Sequence, residues 1–531
     1  MKAFLLYPDR DFDPTLLLSR RDRSYARQKE PGLDLHQALP WNHAALNQDL
    51  GLDIVLNTMA GGDGFLLEVA LVGLLNGVSE LDVIRYRQDV LRDCLRHGPT
   101  LRRTYDIVVE ALKAERKHYW SPMSRYPAGT LSHAVEVLDI FVPALRKLRA
   151  LADRNIGLFN SQGFSRLFEM LRAELSDAYF DEIDDHLKRL KFKGGVLVSA
   201  QLGKGNKATN YVLRKPHRKD LGWFARLWPT TEGYTSYLDP RDEAGARALS
   251  ELRDRGVNLV ANALAQSMDH ISSFFQMLRT ELAFYVGCLN LYGHLEKLGA
   301  PVCFPKPTAL RDENLSFSGL YDVCLAISMN RKPVGNDLES AGKDFIVITG
   351  ANTGGKSTFL RSLGLAQLMM QAGVFVPAAA FSAEVRTTLF SHFKREEDAA
   401  MESGKLDEEL NRMSELVEHL RPGAMILMNE SFAATNEREG SEIAMQITTA
   451  LLEKGVKVGY VTHLHQFAHR MDQKKLPNAL FLRAERQPDG TRTFRLIEAA
   501  PLQTSYGEDL YANVFGGDER APESRRLSAA R

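Results

Sequence analysis

The chain has 531 residues, against roughly 100–200 for a typical domain, so several domains are expected. It is 44% hydrophobic and 25% charged, with 67 basic residues against 67 acidic ones, which argues against a uniformly basic nucleic-acid coat and against an acidic disordered chain. Cys94, Cys288, Cys303 and Cys324 lie far apart without a CxxC pair, so neither a disulfide scaffold nor a cysteine zinc site is expected.

The opening AFLLY reads as a strand and is too short an apolar run, before Pro8, for a signal peptide. No apolar stretch approaches the ~20 residues of a membrane span, so a cytoplasmic protein is expected, nucleoid-associated if bacterial. Residues 1–44 are otherwise polar and irregular, and form a separate N-terminal segment. From about residue 45 the pattern turns helical through Leu50, Leu52, Ile54, Val55 and Met59. Gly61-Gly62-Asp63-Gly64 then reads as a helix–helix turn and not as a phosphate loop, because no strand precedes it. Helical patterning resumes at Phe65 and continues through ELDVIRYRQDVLRDCL toward residue 160.

From Phe164 to Leu190 apolar residues recur in steps of three and four without a proline, which predicts one long outgoing helix closing a helical region over 45–193. A second proline-free run over 241–300 predicts a long returning helix within 241–310. Between them, residues 194–240 begin with two short strands around a Gly203-Lys204-Gly205-Asn206 turn. Residues 188–219 hold ten Lys and Arg and no acid. Lys191, Lys193, Lys204, Lys207, Arg214, Lys215, Arg218 and Lys219 are therefore candidates for DNA phosphates, the plain alternative being a solvated basic loop. Tyr211, Trp223, Phe224 and Trp228 could stack on bases or pack the hairpin's base. The cluster Asp181-Glu182-Asp184-Asp185-His186 reads as a solvated helix face more readily than as a metal site.

The strongest signal lies in residues 311–515. Gly350-Ala351-Asn352-Thr353-Gly354-Gly355-Lys356-Ser357-Thr358 satisfies G-x-x-x-x-G-K-[ST], between the apolar strand DFIVIT and the helical TFLRSLGLAQLMMQ. Glycines at 350, 354 and 355 let the backbone wrap phosphates; Asn352 and Thr358 belong to the same loop. Lys356 supplies charge to the β/γ-phosphates, and the Ser357 hydroxyl is placed for Mg²⁺. About 70 residues on, the buried strand AMILM ends in Asn429-Glu430. Glu430 is the candidate to activate water, and Asn429, where an aspartate is usual, can still accept a bond from metal-bound water. A third strand, VKVGYVT, delivers His463 at the edge where ligands bind in open α/β sheets, placing it to sense the γ-phosphate. His463, His465 and His469 lack the partner spacing of a metal site. The tail, 516–531, is polar and expected to be disordered.

These segments resemble the MutS family of DNA mismatch-repair ATPases. TGANTGGKSTFLRSLGLAQLMMQAGVFVPA resembles its P-loop and following helix, and ILMNESFAATNEREG its Walker B strand and loop, with Glu430, Thr435 and Gly440 matching. VTHLHQF is similar to the switch-histidine segment, TSYGEDLYANV to the Ser-Tyr-Gly helix, and GLDIVLNTMAGGDG with LDVIRYRQDVLRDCL to the start of the helical core. The resemblance implies a multidomain α plus α/β protein: a helical core with long lever helices and a small β clamp-like hairpin, then a P-loop ATPase domain of the ABC type. It implies ATP and Mg²⁺ as cofactors and duplex or branched DNA as partner. It also implies a homodimer in which a Ser/Gly loop completes the partner's ATP site, here Ser403-Gly404, although Leu406-Asp407-Glu408 departs from the hydroxyl-rich pattern.

Only about 44 residues precede the core, and the literal Phe-x-Glu match, Phe180-Asp181-Glu182, falls in the outgoing helix, so direct mismatch reading is not expected. Pro333-Val334-Gly335-Asn336-Asp337 aligns loosely with an adenine-contacting segment. The expected function is an ATP-controlled clamp on DNA in repair or recombination. A nucleotide-gated scaffold that hydrolyses little and works through protein partners is the alternative, and a small-molecule kinase would leave the long helices unexplained.

Overall fold

The structure, a computed structural model, describes all residues except 10–38, 119–125, 194, 216–236, 311, 313, 352–353, 396–403, 488–491 and 503–531. Contacts divide the chain into two compact units. One comprises residues 1–5, 9–12 and 99–282; the other comprises 6–8, 13–98 and 283–531.

In the second unit the chain starts with three short helices, α1 (His43–Leu50), α2 (Leu52–Ala60) and α3 (Gly64–Leu75). Gly51 and Gly61 end the first two in the left-handed region, where glycine pays no Cβ penalty. Asp63 caps α3 by accepting from the amides of Phe65 and Leu66, so the GGDG cluster is the helix–helix turn its context indicated. α4 (Leu81–Arg96) buries Ile84, Val90, Leu91 and Cys94 on one face. The opening AFLLY is not a strand. Phe4 takes a left-handed φ of 58°, which breaks the extended run, while Ala3, Leu5 and Leu6 are still buried.

The first unit holds α5 (Gly98–His118), α6 (Pro127–Asn155), α7 (Gln162–Glu174) and α8 (Asp177–Leu190). α6 is the one helix among the described residues long and apolar enough to cross a membrane, yet half of that window is buried in the fold. The predicted outgoing rod is in fact two helices. α7 stops at Leu175, whose carbonyl accepts from Arg149, and Ser176 begins a new helix by accepting from the Tyr179 amide. The apolar phase runs through this break because Ser-Asp is a helix-start signal needing neither proline nor glycine. Phe180 is buried under the Arg146 guanidinium, and Asp184 and Asp185 pair with Arg146 and Arg189, so the acidic cluster is an ion-paired helix face.

Two antiparallel strands follow, β1 (Val198–Leu202) and β2 (Ala208–Leu213), joined over Lys204–Asn206. α9 (Glu243–Lys297) then runs as one helix of 55 residues, about 80 Å at 1.5 Å per residue. Its first part, to Leu282, belongs to the first unit and packs there through Phe274, Phe275 and Leu278, with Phe275 4.9 Å from the ring of Phe141. Leu249, Leu252 and Leu259 are exposed, while Val257 and Ala261 between and beside them are buried.

The second unit continues with β3 (Lys306–Thr308), β4 (Leu315–Leu320), α10 (Val323–Met329), β5 (Asn336–Glu339) and β6 (Phe345–Thr349). Next come α11 (Lys356–Gln371), β7 (Ala380–Glu384), β8 (Leu389–Phe393), α12 (Lys405–His419), β9 (Met425–Asn429) and α13 (Glu437–Glu453). The last elements are β10 (Lys457–Val461), α14 (His465–Gln473), β11 (Ala479–Arg486) and β12 (Arg492–Glu498). The main sheet has the order β12-β11-β6-β10-β9-β8, parallel except for the β11–β12 pair. Its inner strands read as unbroken apolar runs because both faces are covered, as parallel sheets require. A smaller sheet has the order β3-β7-β4-β5. α11 lies on the main sheet at Gly364, where a Cβ would stand 2.5 Å from Leu427 and 3.1 Å from Leu50 of α1. Only glycine lets these three elements meet so closely.

Candidate nucleotide site and basic hairpin

The parallel sheet brings the motif residues to one edge. The P-loop leaves the C-terminal end of β6, Asn429 and Glu430 end β9, and His463 follows β10, which lies between those two strands. Strands are spaced by about 4.8 Å, so the three segments fall within the span of a triphosphate and its metal.

Gly350 adopts a φ of 113° and Gly355 one of 87°, in the region L side chains avoid. Gly354 is needed for a different reason: a Cβ there would sit 2.8 Å from Ala484 of β11. Lys356 is buried and its ammonium donates to the carbonyls of Gly350 and Ala351 at 2.9 and 2.8 Å. Burial lowers its pKa to about 8; the Glu430 carboxylate opposes that shift and Arg492 adds to it. The Ser357 hydroxyl, exposed in the first turn of α11, donates to Asn429 Oδ1 at 2.9 Å. Thr358 is partly exposed in the same turn, and Asn352 lies outside the described residues.

Glu430 has a left-handed φ of 54° and places Oε1 3.2 Å from His463 Nε2. That hydrogen bond lowers its pKa against the opposing effect of burial, with Lys394 and Lys356 adding to the fall. His465 and His469 face other partners, the carbonyl of Leu502 and the Gln473 amide. Asn336 accepts from the Leu496 amide and Asp337 from the Gly319 amide, tying the loosely aligned segment to β12 and β4. Ser403 lies outside the described residues, and Gly404 is the N-cap of α12.

Several participants escape sequence reasoning. Lys394, just past β8, donates its amide to the Asn429 carbonyl and directs its charge toward Glu430. Arg492 acts on Lys356, and Phe494, half exposed, brings its carbonyl within 3.6 Å of where a Gly355 Cβ would be. No motif marks them, because they come from strands that only the sheet order sets beside the P-loop.

In the other unit the hairpin is closed by the Gly203 amide on the Lys207 carbonyl at 2.8 Å. Lys193, Lys204, Lys207, Arg214 and Lys215 are exposed. Arg214 also donates to Ser199. Lys191 is also exposed and makes a 2.6 Å surface ion pair with Asp139 of α6. Arg218 and Lys219, with Trp223, Phe224 and Trp228, lie outside the described residues. The hairpin is seated on α9 where Gly256 admits Val198; a Cβ there would lie 2.5 Å from it.

Comparison with known proteins adds two matches, to the MutS2 N-terminal domain over residues 79–298 and to MutS domain V over 346–515. The chain belongs to the MutS family. The domain V match takes in the P-loop, Asn429-Glu430 and His463, and the MutS2 match takes in α5 to α8, the hairpin and α9. Among MutS relatives, the DNA mismatch repair protein MutS of Thermotoga neapolitana is 30% identical over 39% of this chain and 26% of its own length. Endonuclease MutS2 of Streptococcus uberis is 26% identical over 47% of this chain and 32% of its own. Endonuclease MutS2 of Streptococcus sanguinis is 24% identical over 74% of this chain and 50% of its own. The chain thus spans between about a quarter and a half of the length of these curated relatives.

Proposed function

We propose that this MutS-family chain is a Mg²⁺-dependent ATPase that binds duplex or branched DNA as a homodimeric, nucleotide-controlled clamp. The supporting observation is the convergence of Lys356, Ser357, Asn429, Glu430 and His463 on one edge of the parallel sheet. Lys356 now spends its charge on two loop carbonyls, partners that phosphate oxygens would replace. Ser357 Oγ, Asn429 Oδ1 and the Glu430 carboxylate are hard oxygen donors of the kind Mg²⁺ takes alongside phosphates. The metal's role would be to neutralise charge developing on the phosphates.

The depressed pKa of Glu430 keeps it ionised, able to accept a hydrogen bond from an attacking water, while His463 orients its carboxylate. On the DNA side, the exposed lysines of the hairpin supply phosphate contacts and α9 carries that hairpin as a lever. The test is ATP hydrolysis against single-stranded, duplex, mismatched, branched and four-way DNA over a salt series. Turnover indifferent to every DNA in that panel would remove the DNA half of the proposal.

One observation favours a second reading, a nucleotide-gated scaffold with little hydrolysis. Asn429 carries no charge, so Ser357 is bonded to an amide oxygen where a carboxylate is usual. Comparing Asn429→Asp and Glu430→Gln with the natural chain separates the two. A true ATPase loses turnover in Glu430→Gln, whereas a scaffold gains it in Asn429→Asp from a near-zero baseline.

A further inference from the structure

The turn after β9 holds two non-glycine residues in the left-handed region, Glu430 at 54° and Phe432 at 62°. L side chains avoid this region, so the turn persists only if its surroundings over-determine it. They do so residue by residue. The Glu430 amide donates to the Val461 carbonyl at 2.8 Å. The Ser431 carbonyl accepts from the Tyr460 hydroxyl at 2.7 Å, and the Ser431 hydroxyl donates to the His392 carbonyl at 2.7 Å. The amide of Phe432 is held by a charged group: it donates to Glu409 Oε2 at 2.6 Å.

Glu409 is only 3% exposed and comes from the second turn of α12, outside the P-loop and the β9 motif. A carboxylate this buried is costly, and burial does push its pKa up while the Phe432 amide pulls it down. The surrounding groups fix it in place. His392 Nε2 lies 3.1 Å from the Glu409 carbonyl, its Nδ1 lies 2.8 Å from Ser431 Oγ, and its ring stacks on Phe432 at 5.5 Å. Gly440 of α13 closes the other side, since a Cβ there would collide with the Phe432 carbonyl.

We propose that Glu409 is a positioning residue: by holding the Phe432 amide it fixes the left-handed turn that aims the Glu430 carboxylate at His463 and the water site. This rests on the reading of Glu430 as the water-activating group. Releasing the amide lets residue 430 relax toward ordinary backbone angles, which swings its side chain away while leaving the P-loop untouched.

The test uses the full chain with Glu409→Ala, Glu409→Gln, Glu409→Asp and Glu430→Gln, measuring kcat and KM for MgATP, binding of a fluorescent ATP analogue and the thermal midpoint. A displacement of about 1 Å at a reacting group costs about a hundredfold in rate. Glu409→Ala is therefore expected to lose about that factor in kcat, with KM and analogue affinity within about twofold of the natural chain. Glu409→Gln keeps an acceptor oxygen at the same reach and should recover most of the rate. Glu409→Asp, one methylene short, should behave like alanine and serves if Glu409→Ala does not fold. A natural kcat in both Glu409→Ala and Glu409→Asp would overturn the proposal. So would kcat, affinity and thermal midpoint falling together without rescue by glutamine. If Glu430→Gln is inactive while the Glu409 variants are normal, the positioning role alone falls. If Glu430→Gln turns over normally, both readings fall.

Discussion

Raising the pH should weaken nucleotide binding by a route the structure makes quantitative. Lys356 is buried beside the P-loop with a pKa lowered to about 8 by burial, so in the free protein its ammonium is lost as pH rises through 8. Phosphate oxygens favour the charged form, so binding must take up a proton wherever the free lysine is neutral. Below pH 8 the lysine is already charged and there is little effect. At pH 8 half the molecules must be reprotonated, which weakens binding about twofold, and at pH 9 the factor is about tenfold.

The assay is a fluorescent ATP analogue titrated at pH 7, 8 and 9 at constant ionic strength, where the nucleotide's own phosphates no longer titrate above about pH 7.5. Calorimetry at pH 8 in buffers of different ionisation enthalpy should show about half a proton taken up per nucleotide. Lys356→Met should bind weakly with no such slope. An affinity for the natural chain that is flat from pH 7 to 9 would refute the reasoning, because a solvated lysine would behave in that way.

Three further outcomes are expected. Replacing Lys204 or Lys207 by Ala should reduce the slope of log affinity for DNA against log salt by about one, whereas Lys191→Ala should change it less because Asp139 already holds that charge. Gly256→Leu should displace Val198 and the hairpin from α9, lowering DNA affinity while leaving basal ATP turnover within about twofold; salt-titrated DNA binding and an ATPase assay without DNA check it. Arg361→Ala should cost about 3 kcal/mol in denaturant unfolding, because it strands the fully buried Asp322 carboxylate that Arg361 holds at 2.5 Å. Burial already raises the Asp322 pKa with Arg361 opposing it, and removing Arg361 raises it further, so this deficit should shrink as pH falls from 8 toward 5.

Much of the nucleotide site was legible because its residues sit in continuous local patterns: apolar strand, glycine loop, then helix. The same holds for the turn at Gly61–Gly64 and the hairpin at Gly203–Lys207, where glycine and a capping aspartate write the backbone directly. The sequence-only reading failed where a break is made by side-chain capping. Ser176 starts α8 within an unbroken apolar phase, so two helices read as one. It also failed for pairs remote in sequence. Asp139 pairs with Lys191, and Glu409 reaches Phe432, through packing that no local spacing encodes. The exposed Leu249, Leu252 and Leu259, beside the buried Val257 and Ala261, show the converse: an apolar residue in a helix is not by itself a core residue, and only the tertiary structure decides which face is covered.

The close approach of Gly354 to Ala484 has a bearing on how natural variants of such a chain are to be ranked. The eight-position motif describes one wall of the phosphate loop; the opposite wall is a methyl group contributed more than a hundred positions later, outside the motif. A valine at 484 would press on the loop as a side chain at 354 would, while leaving every letter of the motif intact. A variant screen confined to motif letters would score such a protein as unharmed.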